Sequence, residues 1–260
     1  TKALKMAGNL KNKVIVITGG AEGIGYHIAD NYLMKEAKHI VLLDINEKKG
    51  SEAVTSLTAK HGARVTFIKC DVTTDLESVS KKIFDICPYV DVLVNNAGIL
   101  NDEKIKQTIG INVTALIEWS FKFWEHMRKD KNGKGGTIVN LASIYGYRID
   151  QFLPVYQASK FAVMGFTKSL GHFYNYNRSG VRVIAICPGF TETKLTASAI
   201  AWDEKLKGDL EKFLKAQAWQ TVDVVGKAAV EIFETADSGT AWLIEGARPF
   251  FICFFFSFDL

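Results

Sequence analysis

Short apolar, β-branched runs alternate along this chain with longer stretches in which apolar residues recur every three or four positions. The short runs are "KVIVITG" (13–19), "HIVLLDI" (39–45), "RVTFIKCDV" (64–72), "VDVLVNNAG" (90–98), "GTIVNLAS" (136–143), "VRVIAICPG" (181–189) and "GTAWLIEG" (239–246). Each predicts a buried strand. Between them the pattern predicts helices over 22–37, 47–62, 75–88, about 105–130 and about 155–176, with Gly62 and Pro88 as stops. Strands apolar on both faces, each followed by a crossover helix, predict a seven-stranded, mostly parallel sheet covered on both sides. The expected fold class is therefore doubly wound α/β, with ligands at the carboxyl ends of the strands. Only four prolines occur, and no Pro/Gly/Ser-rich linker interrupts the pattern, which predicts one domain over 1–260.

The first strand runs into "TGGAEGIG" (18–25). Gly19, Gly23 and Gly25, with Ile24 between the last two, allow a tight turn and a close backbone approach. A helix starting there aims free N–H groups at an anion, and a diphosphate is the natural occupant. The spacing is G-x-x-x-G-x-G rather than G-x-G-x-x-G, and a glycine-rich turn without a ligand is the plain alternative. Asp44, followed by Ile45, ends the second strand, where a carboxylate can accept both hydroxyls of an adenosine ribose. The alternative for Asp44 is a helix N-cap. Asp44 repels a 2′-phosphate, and Glu22 adds negative charge nearby, so Coulomb's sign favours NAD over NADP. Asp71, between Cys70 and Val72, is placed to meet an adenine amino group. Asn95, Asn96, Ala97 and Gly98 end the fourth strand beside the expected cofactor path.

"VYQASK" (155–160) sets Tyr156 and Lys160 on one helix face. A free tyrosine, with a pKa of about 10, is a poor base near neutrality. A neighbouring ammonium favours phenolate, and such a phenol can exchange a proton with a substrate alcohol while hydride moves to NAD. Ser143, at the end of the fifth strand, can hold the substrate oxygen. Asn112, inside the long helix, can bind a water that relays protons to Lys160. Each of these alone has a bland reading: a surface pair, a turn serine, a polar helix residue. What raises them is that all fall at a strand end or on the helix beside one.

Together "TGGAEGIG", "CDV" (70–72), "NNAG" (95–98), Asn112, Ser143, Tyr156 with Lys160, and "PGFTET" (188–193) resemble the short-chain dehydrogenase/reductase family over about residues 10–246. The resemblance implies a Rossmann-type domain. It implies Tyr156 as acid/base, Lys160 on the nicotinamide ribose, Ser143 orienting substrate and Asn112 completing the relay. It also implies that backbone from Pro188 and Gly189 to Thr191 holds the carboxamide, with Thr193 near the diphosphate. Within the family, "PVYQASK" and "ICPGFTET" are similar to NAD-dependent hydroxyprostaglandin dehydrogenases and insect alcohol dehydrogenases.

Specificity is expected from Ile144, Tyr145, Ile149 and Leu153 before Tyr156, and from Phe190 and Leu195 after the sixth strand. The segment 189–219 carries Trp202, Leu206, Leu210, Phe213 and Leu214 at helical spacing, which reads as a lid over the substrate or as a core-facing helix. This pocket is apolar and predicts a lipophilic secondary or allylic alcohol: a hydroxy fatty acid or prostaglandin-like compound, a steroid or a terpenoid. Lys194 is the nearby charge for a carboxylate. The runner-up is a non-catalytic NAD-binding structural or storage protein; a carbonyl reductase differs only in direction.

Charge and composition narrow the rest. Net charge is +4, charged content is 23% and hydrophobic content 48%, ordinary for a globular chain. No basic stripe is interleaved with stacking aromatics, so nucleic acid is not an expected partner. The four cysteines form no C-x-x-C pair, which predicts no metal and fits a reducing compartment. No signal-like or membrane-spanning run is seen, so the expected location is cytoplasmic. Ile117, Phe121, Trp124, Phe166 and Phe173 put apolar surface on more than one face of the two long helices, and a homodimer is expected. The end, 247–260, holds six phenylalanines between 250 and 258 and reads as a subunit contact or a cover for a pocket.

Overall fold

Ile15, Val16 and Ile17 are fully buried, as are Ile40, Val41, Leu42 and Leu43, so these strands have no solvent face. The computed structural model of the chain describes residues 8–246 and the backbone of 251–252. Its elements run β1 (Val14–Thr18), α1 (Gly23–Met34), β2 (His39–Asp44), α2 (Glu47–His61), β3 (Val65–Lys69), α3 (Leu76–Ile86) and β4 (Val92–Asn95). There follow α4 (Ile105–Ile109), a π-helical turn (Gly110–Ala115), α5 (Leu116–Met127), β5 (Gly136–Leu141), α6 (Pro154–Leu170), α7 (Phe173–Ser179) and β6 (Val181–Pro188). The chain continues through α8 (Lys194–Ala197), α9 (Lys207–Lys215), α10 (Val222–Thr235), β7 (Ala241–Ile244) and β8 (Phe251–Ile252). The Phe-rich end beyond β8, with the roles expected for it, lies outside the described residues.

The sheet order is β3-β2-β1-β4-β5-β6-β7-β8. The first seven strands pair in parallel, and β8 adds an antiparallel edge, Trp242 opposite Ile252. Seven strands were expected; the eighth is a two-residue addition at the start of the Phe-rich end, where no strand was expected. Successive strand residues feed opposite layers. Ile15, Ile17, Leu42, Val94, Val139 and Ile184 meet α1 and α10 through Ile28, Tyr32, Ala229 and Ile232. Val16, Val41, Leu43, Leu93, Ile138 and Val183 meet α3 and α5 through Val79, Ile83, Trp119 and Phe123. Each such side chain contributes about 1.5–3 kcal/mol by leaving water.

Two helices depart from expectation. The long pattern over 155–176 breaks at Gly171, where any Cβ would stand 2.5 Å from Gly239 N, and His172 caps the new helix α7 by accepting from Tyr174 N. The pattern over 105–130 ends at Met127 and widens to a π turn around Asn112. Several buried polar groups at the sheet centre pair with one another. Asn95 Nδ2 donates to Ser120 Oγ at 2.8 Å and to Asn140 Oδ1 at 2.9 Å, and Asn140 donates on to Thr167 Oγ1. Arg182, buried on β6, donates to the carbonyls of Ala236 and Phe233 at the end of α10.

Candidate active site

The strand order reverses between β1 and β4, and a cleft of about 850 Å³ opens at their carboxyl ends. Gly19 (φ 63°) and Gly23 (φ 59°) take left-handed backbone that side chains disfavour. Gly25 lies beneath this turn rather than on the cleft wall, and a Cβ there would meet Gly19 O at 2.3 Å. Thr18 Oγ1 accepts from the N–H groups of Asn96 and Ala97, while Asn96 Nδ2 donates to Gly19 O at 2.8 Å. The NNAG segment therefore clamps the glycine turn. At the N-terminus of α1, Glu22 makes no side-chain cap bond and no acid lies in the first turn, so those N–H groups remain available to an anion.

Gly19, Gly23, Ile24, Asp44, Ile45, Cys70, Asp71, Val72, Asn96, Ala97 and Gly98 line the cleft. Asp44 is not the cap of α2; Asn46 is, accepting from Lys49 N. Asp44 Oδ2 accepts from Ala21 N at 3.2 Å and faces the cleft. Asp71 Oδ1 holds Thr73 N and Oγ1. Asn95 departs from expectation: its side chain is buried beneath the cleft, bonded to Ser120 and Asn140, and is off the cleft wall. The bare turn, the unused N–H groups, the carboxylate and the exposed, apolar Ile45 on the rim fit a dinucleotide with an adenine at one end. Glu22 pairs with Lys194 at 2.5 Å across an exposed rim of the cleft, while Asp44 faces the cleft. Lys194 is correspondingly committed, which weakens its expected role toward a carboxylate.

At the other end stand Ser143, Tyr156 and Lys160, all on the cleft wall. Tyr156 and Lys160 are each 6% exposed. Lys160 Nζ lies 5.5 Å from the centre of the Tyr156 ring and donates to Leu141 O at 2.8 Å. An ammonium has three donors, and this bond uses one, leaving protons for a diol such as a ribose. Burial pushes the Tyr156 phenol up to about 12, against a hydrogen-bonding contribution from Ser143. Burial brings the Lys160 ammonium down to about 8. In the protein alone desolvation thus outweighs the attraction expected to make Tyr156 acidic. Asn112 is off the cleft wall. Its Oδ1 accepts from Ile99 N, and its Nδ2 donates to Ile99 O and Ser159 Oγ, so both amide protons are engaged by protein.

Beyond Ser143 the wall is apolar: Ile144, Tyr145, Leu153, Phe190, Leu195 and Leu214. The Tyr145 hydroxyl donates to Asp150, which leaves the ring facing the cleft. Ile149 is a correction. It is 79% exposed and off the wall, because Asp150 takes the inward place, accepting from Tyr145, Gln157 and Phe152 N. Leu206, Leu210, Phe213 and Leu214 pack in one cluster with Phe152, Phe190 and Tyr156, and of this stripe Leu214 lines the cleft. Trp202 stands apart, 56% exposed, its indole N–H on Gln151 O. Pro188, Gly189, Thr191 and Thr193 border the cleft as expected. Leu100, Gln107 and Ile111 also line it and were missed, although Leu100 and Ile111 directly follow a site strand and precede Asn112.

The profile of the short chain dehydrogenase family matches residues 13–204. The chain belongs to that family. It is thus an oxidoreductase of the short-chain dehydrogenase type. Alcohol dehydrogenase 1 of Ceratitis cosyra is 31% identical over 240 residues, 90% of this chain and 92% of that one. The human 15-hydroxyprostaglandin dehydrogenase [NAD(+)] is 37% identical over 193 residues, 73% and 72% of the two chains. Among solved structures, L-sorbose reductase of Gluconobacter frateurii complexed with NADPH and L-sorbose superposes with a TM-score of 0.77 at 28% identity, covering 93% of this chain and 98% of that one. A 3-ketoacyl-(acyl-carrier-protein) reductase of Brucella melitensis complexed with NADH reaches 0.78 at 24% identity, covering 92% and 99%, a likeness of fold. Among the described residues no cluster of three or more His, Cys, Asp or Glu is placed to hold a metal, and no helix is long and apolar enough to cross a membrane.

Proposed function

We propose that this short-chain dehydrogenase oxidises a lipophilic secondary or allylic alcohol with NAD. The observation that carries the reading is a cleft with Ser143, Tyr156 and Lys160 at its buried end and an apolar, aromatic wall around them. Asp44 supports NAD over NADP, as do the names of the prostaglandin dehydrogenase relatives. Bound NAD supplies the hydride acceptor and, being oxidised, a positive ring charge. Ser143 Oγ holds the substrate oxygen, and Tyr156 Oη accepts its proton as the carbon gives up hydride. Lys160 stays a cation near neutral pH and biases Tyr156 toward phenolate once that positive site is completed. The segment 194–215 covers the apolar end and excludes water. Two copies pair through α5 and α6, supported by exposed Phe161 and by exposed Phe121, whose ring meets that of Phe166.

The test is a panel of lipophilic secondary and allylic alcohols offered with NAD or NADP, read by dinucleotide reduction. Turnover with NAD that vanishes in Tyr156→Phe supports the proposal. Binding of NADH without turnover across the panel would leave a cofactor-binding protein instead.

A further inference from the structure

The backbone of Tyr156 is held by side chains at both its N–H and its carbonyl. Asp102, in the loop between β4 and α4, is 5% exposed. Its Oδ2 accepts from Val155 N at 2.7 Å and its Oδ1 from Tyr156 N at 3.0 Å. These are first-turn amides of α6, whose own cap residue, Leu153, makes no side-chain cap bond. The cap is thus delivered from more than fifty residues upstream. A carboxylate suits the place because two amides need two acceptors, and a helix N-terminus favours negative charge. At the carbonyl end, Ser159 Oγ donates to Tyr156 O at 2.6 Å and itself accepts from Asn112 Nδ2 at 3.1 Å. Asn112 grips Ile99 at both N and O, and Thr108 Oγ1 donates to Asn101 O at 2.6 Å. The contacts close a circuit: Asn112, the 99–102 loop, Asp102, Tyr156, Ser159, and back to Asn112. Leu100, within that loop, lines the cleft and packs in one cluster with Tyr156.

We propose that Asp102 is a positioning residue which, through this circuit, fixes the Tyr156 hydroxyl relative to Ser143 and to the substrate wall at Leu100. The proposal rests on Tyr156 being the acid/base. Losing the cap frees the first turn of α6 to shift, and a misplacement on the order of 1 Å costs about a hundredfold in rate. The glycine turn is held by Asn96, which bonds to Thr18 O and Gly19 O rather than to Asp102 or Ser159, so cofactor affinity should largely survive.

The experiment compares Asp102→Ala, Asp102→Asn and Ser159→Ala with wild type in the full chain. It measures kcat, NADH affinity by fluorescence titration, and amide hydrogen exchange of residues 154–160 with NADH bound. Expected for Asp102→Ala is a kcat loss of about tenfold or more with NADH Kd within about threefold, and faster exchange in 154–160. Asp102→Asn, which keeps one oxygen acceptor, should recover most of kcat, and Ser159→Ala should lower it. The proposal is overturned if Asp102→Ala keeps wild-type kcat, or if kcat and the fraction that binds NADH fall in step. Should Asp102→Ala not fold, wild-type kcat in both Asp102→Asn and Ser159→Ala overturns it, and a selective kcat loss in Ser159→Ala supports it. A wild-type chain that binds NADH but oxidises nothing defeats the proposed function; unchanged exchange at 154–160 in the Asp102 variants then defeats this inference separately.

Discussion

Gly25→Ala probes the cradle with the smallest possible change. The added methyl would stand 2.3 Å from Gly19 O, 2.6 Å from Asn96 Nδ2 and 3.1 Å from Gly19 C. Two of these are backbone atoms, and the amide is fixed by its bonds to Thr18 O and Gly19 O. Ordinary carbon contacts need about 3.5 Å, so the turn must open by roughly 1 Å. Overpacking costs about 1–3 kcal/mol, and loss of the Asn96–Gly19 bond adds about 1 kcal/mol. The helix propensity gained from alanine returns about 0.5–1 kcal/mol. The net loss is about 1–3 kcal/mol, or roughly 2–12 °C in Tm at about 2–4 °C per kcal/mol. The same displacement moves N–H groups off the diphosphate. At about 1.5–3 kcal/mol for a hydrogen bond to a charged group, losing one weakens NADH binding about tenfold or more. Calorimetry and NADH titration read the two effects. Gly208→Ala is the control, since no atom lies within 4 Å of its added methyl; Tm there should hold or rise. A Gly25→Ala protein with wild-type Tm and NADH affinity would refute the reasoning.

Other outcomes follow from the same geometry. Lys160 keeps its proton to about 8 when folded, against 10.5 for the free side chain, so between those values the unfolded chain binds more protons and stability rises with pH. Below that window the folded protein carries the whole penalty, on the order of 3 kcal/mol at 1.36 kcal/mol per unit. Lys160→Met should therefore raise the Tm of the cofactor-free protein near neutral pH, by a margin that shrinks as pH climbs from about 8 to 10.5, while NADH binding weakens. Arg182→Met should lower stability by about 2–5 kcal/mol, because buried carbonyls at the end of α10 lose their donor; urea unfolding should show a lower midpoint at unchanged slope. Asp44→Ala should raise the NADP-to-NAD ratio of kcat/KM about tenfold, the size expected when a partly screened like charge is removed. Steady-state kinetics with both dinucleotides measures it.

The sheet was legible because its strands are buried on both faces: an uninterrupted run such as "VIVIT" has no other stable home in a protein of this size. The gathering of Ser143, Asn96 and Asp44 around one cleft was legible for the same reason, since each sits where a run stops. What stayed hidden depends on contacts distant in sequence. The periodicity over 155–176 continues through Gly171, and only the approach of Gly239 breaks it. Around Asn112 the apolar spacing runs on while the backbone widens to a π turn. Ile149 and Asp150 lie in a turn without periodicity, so nothing local tells which of them points inward. Asp102 has no local signature as a cap, because the amides it serves lie on another element. The pairing of Glu22 with Lys194 likewise joins segments that the pattern treats separately.

The central claim is that Tyr156 takes the proton while the substrate carbon hands its hydride to bound NAD. A secondary alcohol deuterated at the carbinol carbon, incubated with NAD and the protein, tests it directly by mass analysis of the dinucleotide. The account predicts one deuterium on the nicotinamide ring with wild type and none with Tyr156→Phe at matched NADH affinity. Oxidation of the alcohol with no label on the ring, or equal transfer by the phenylalanine variant, would contradict it.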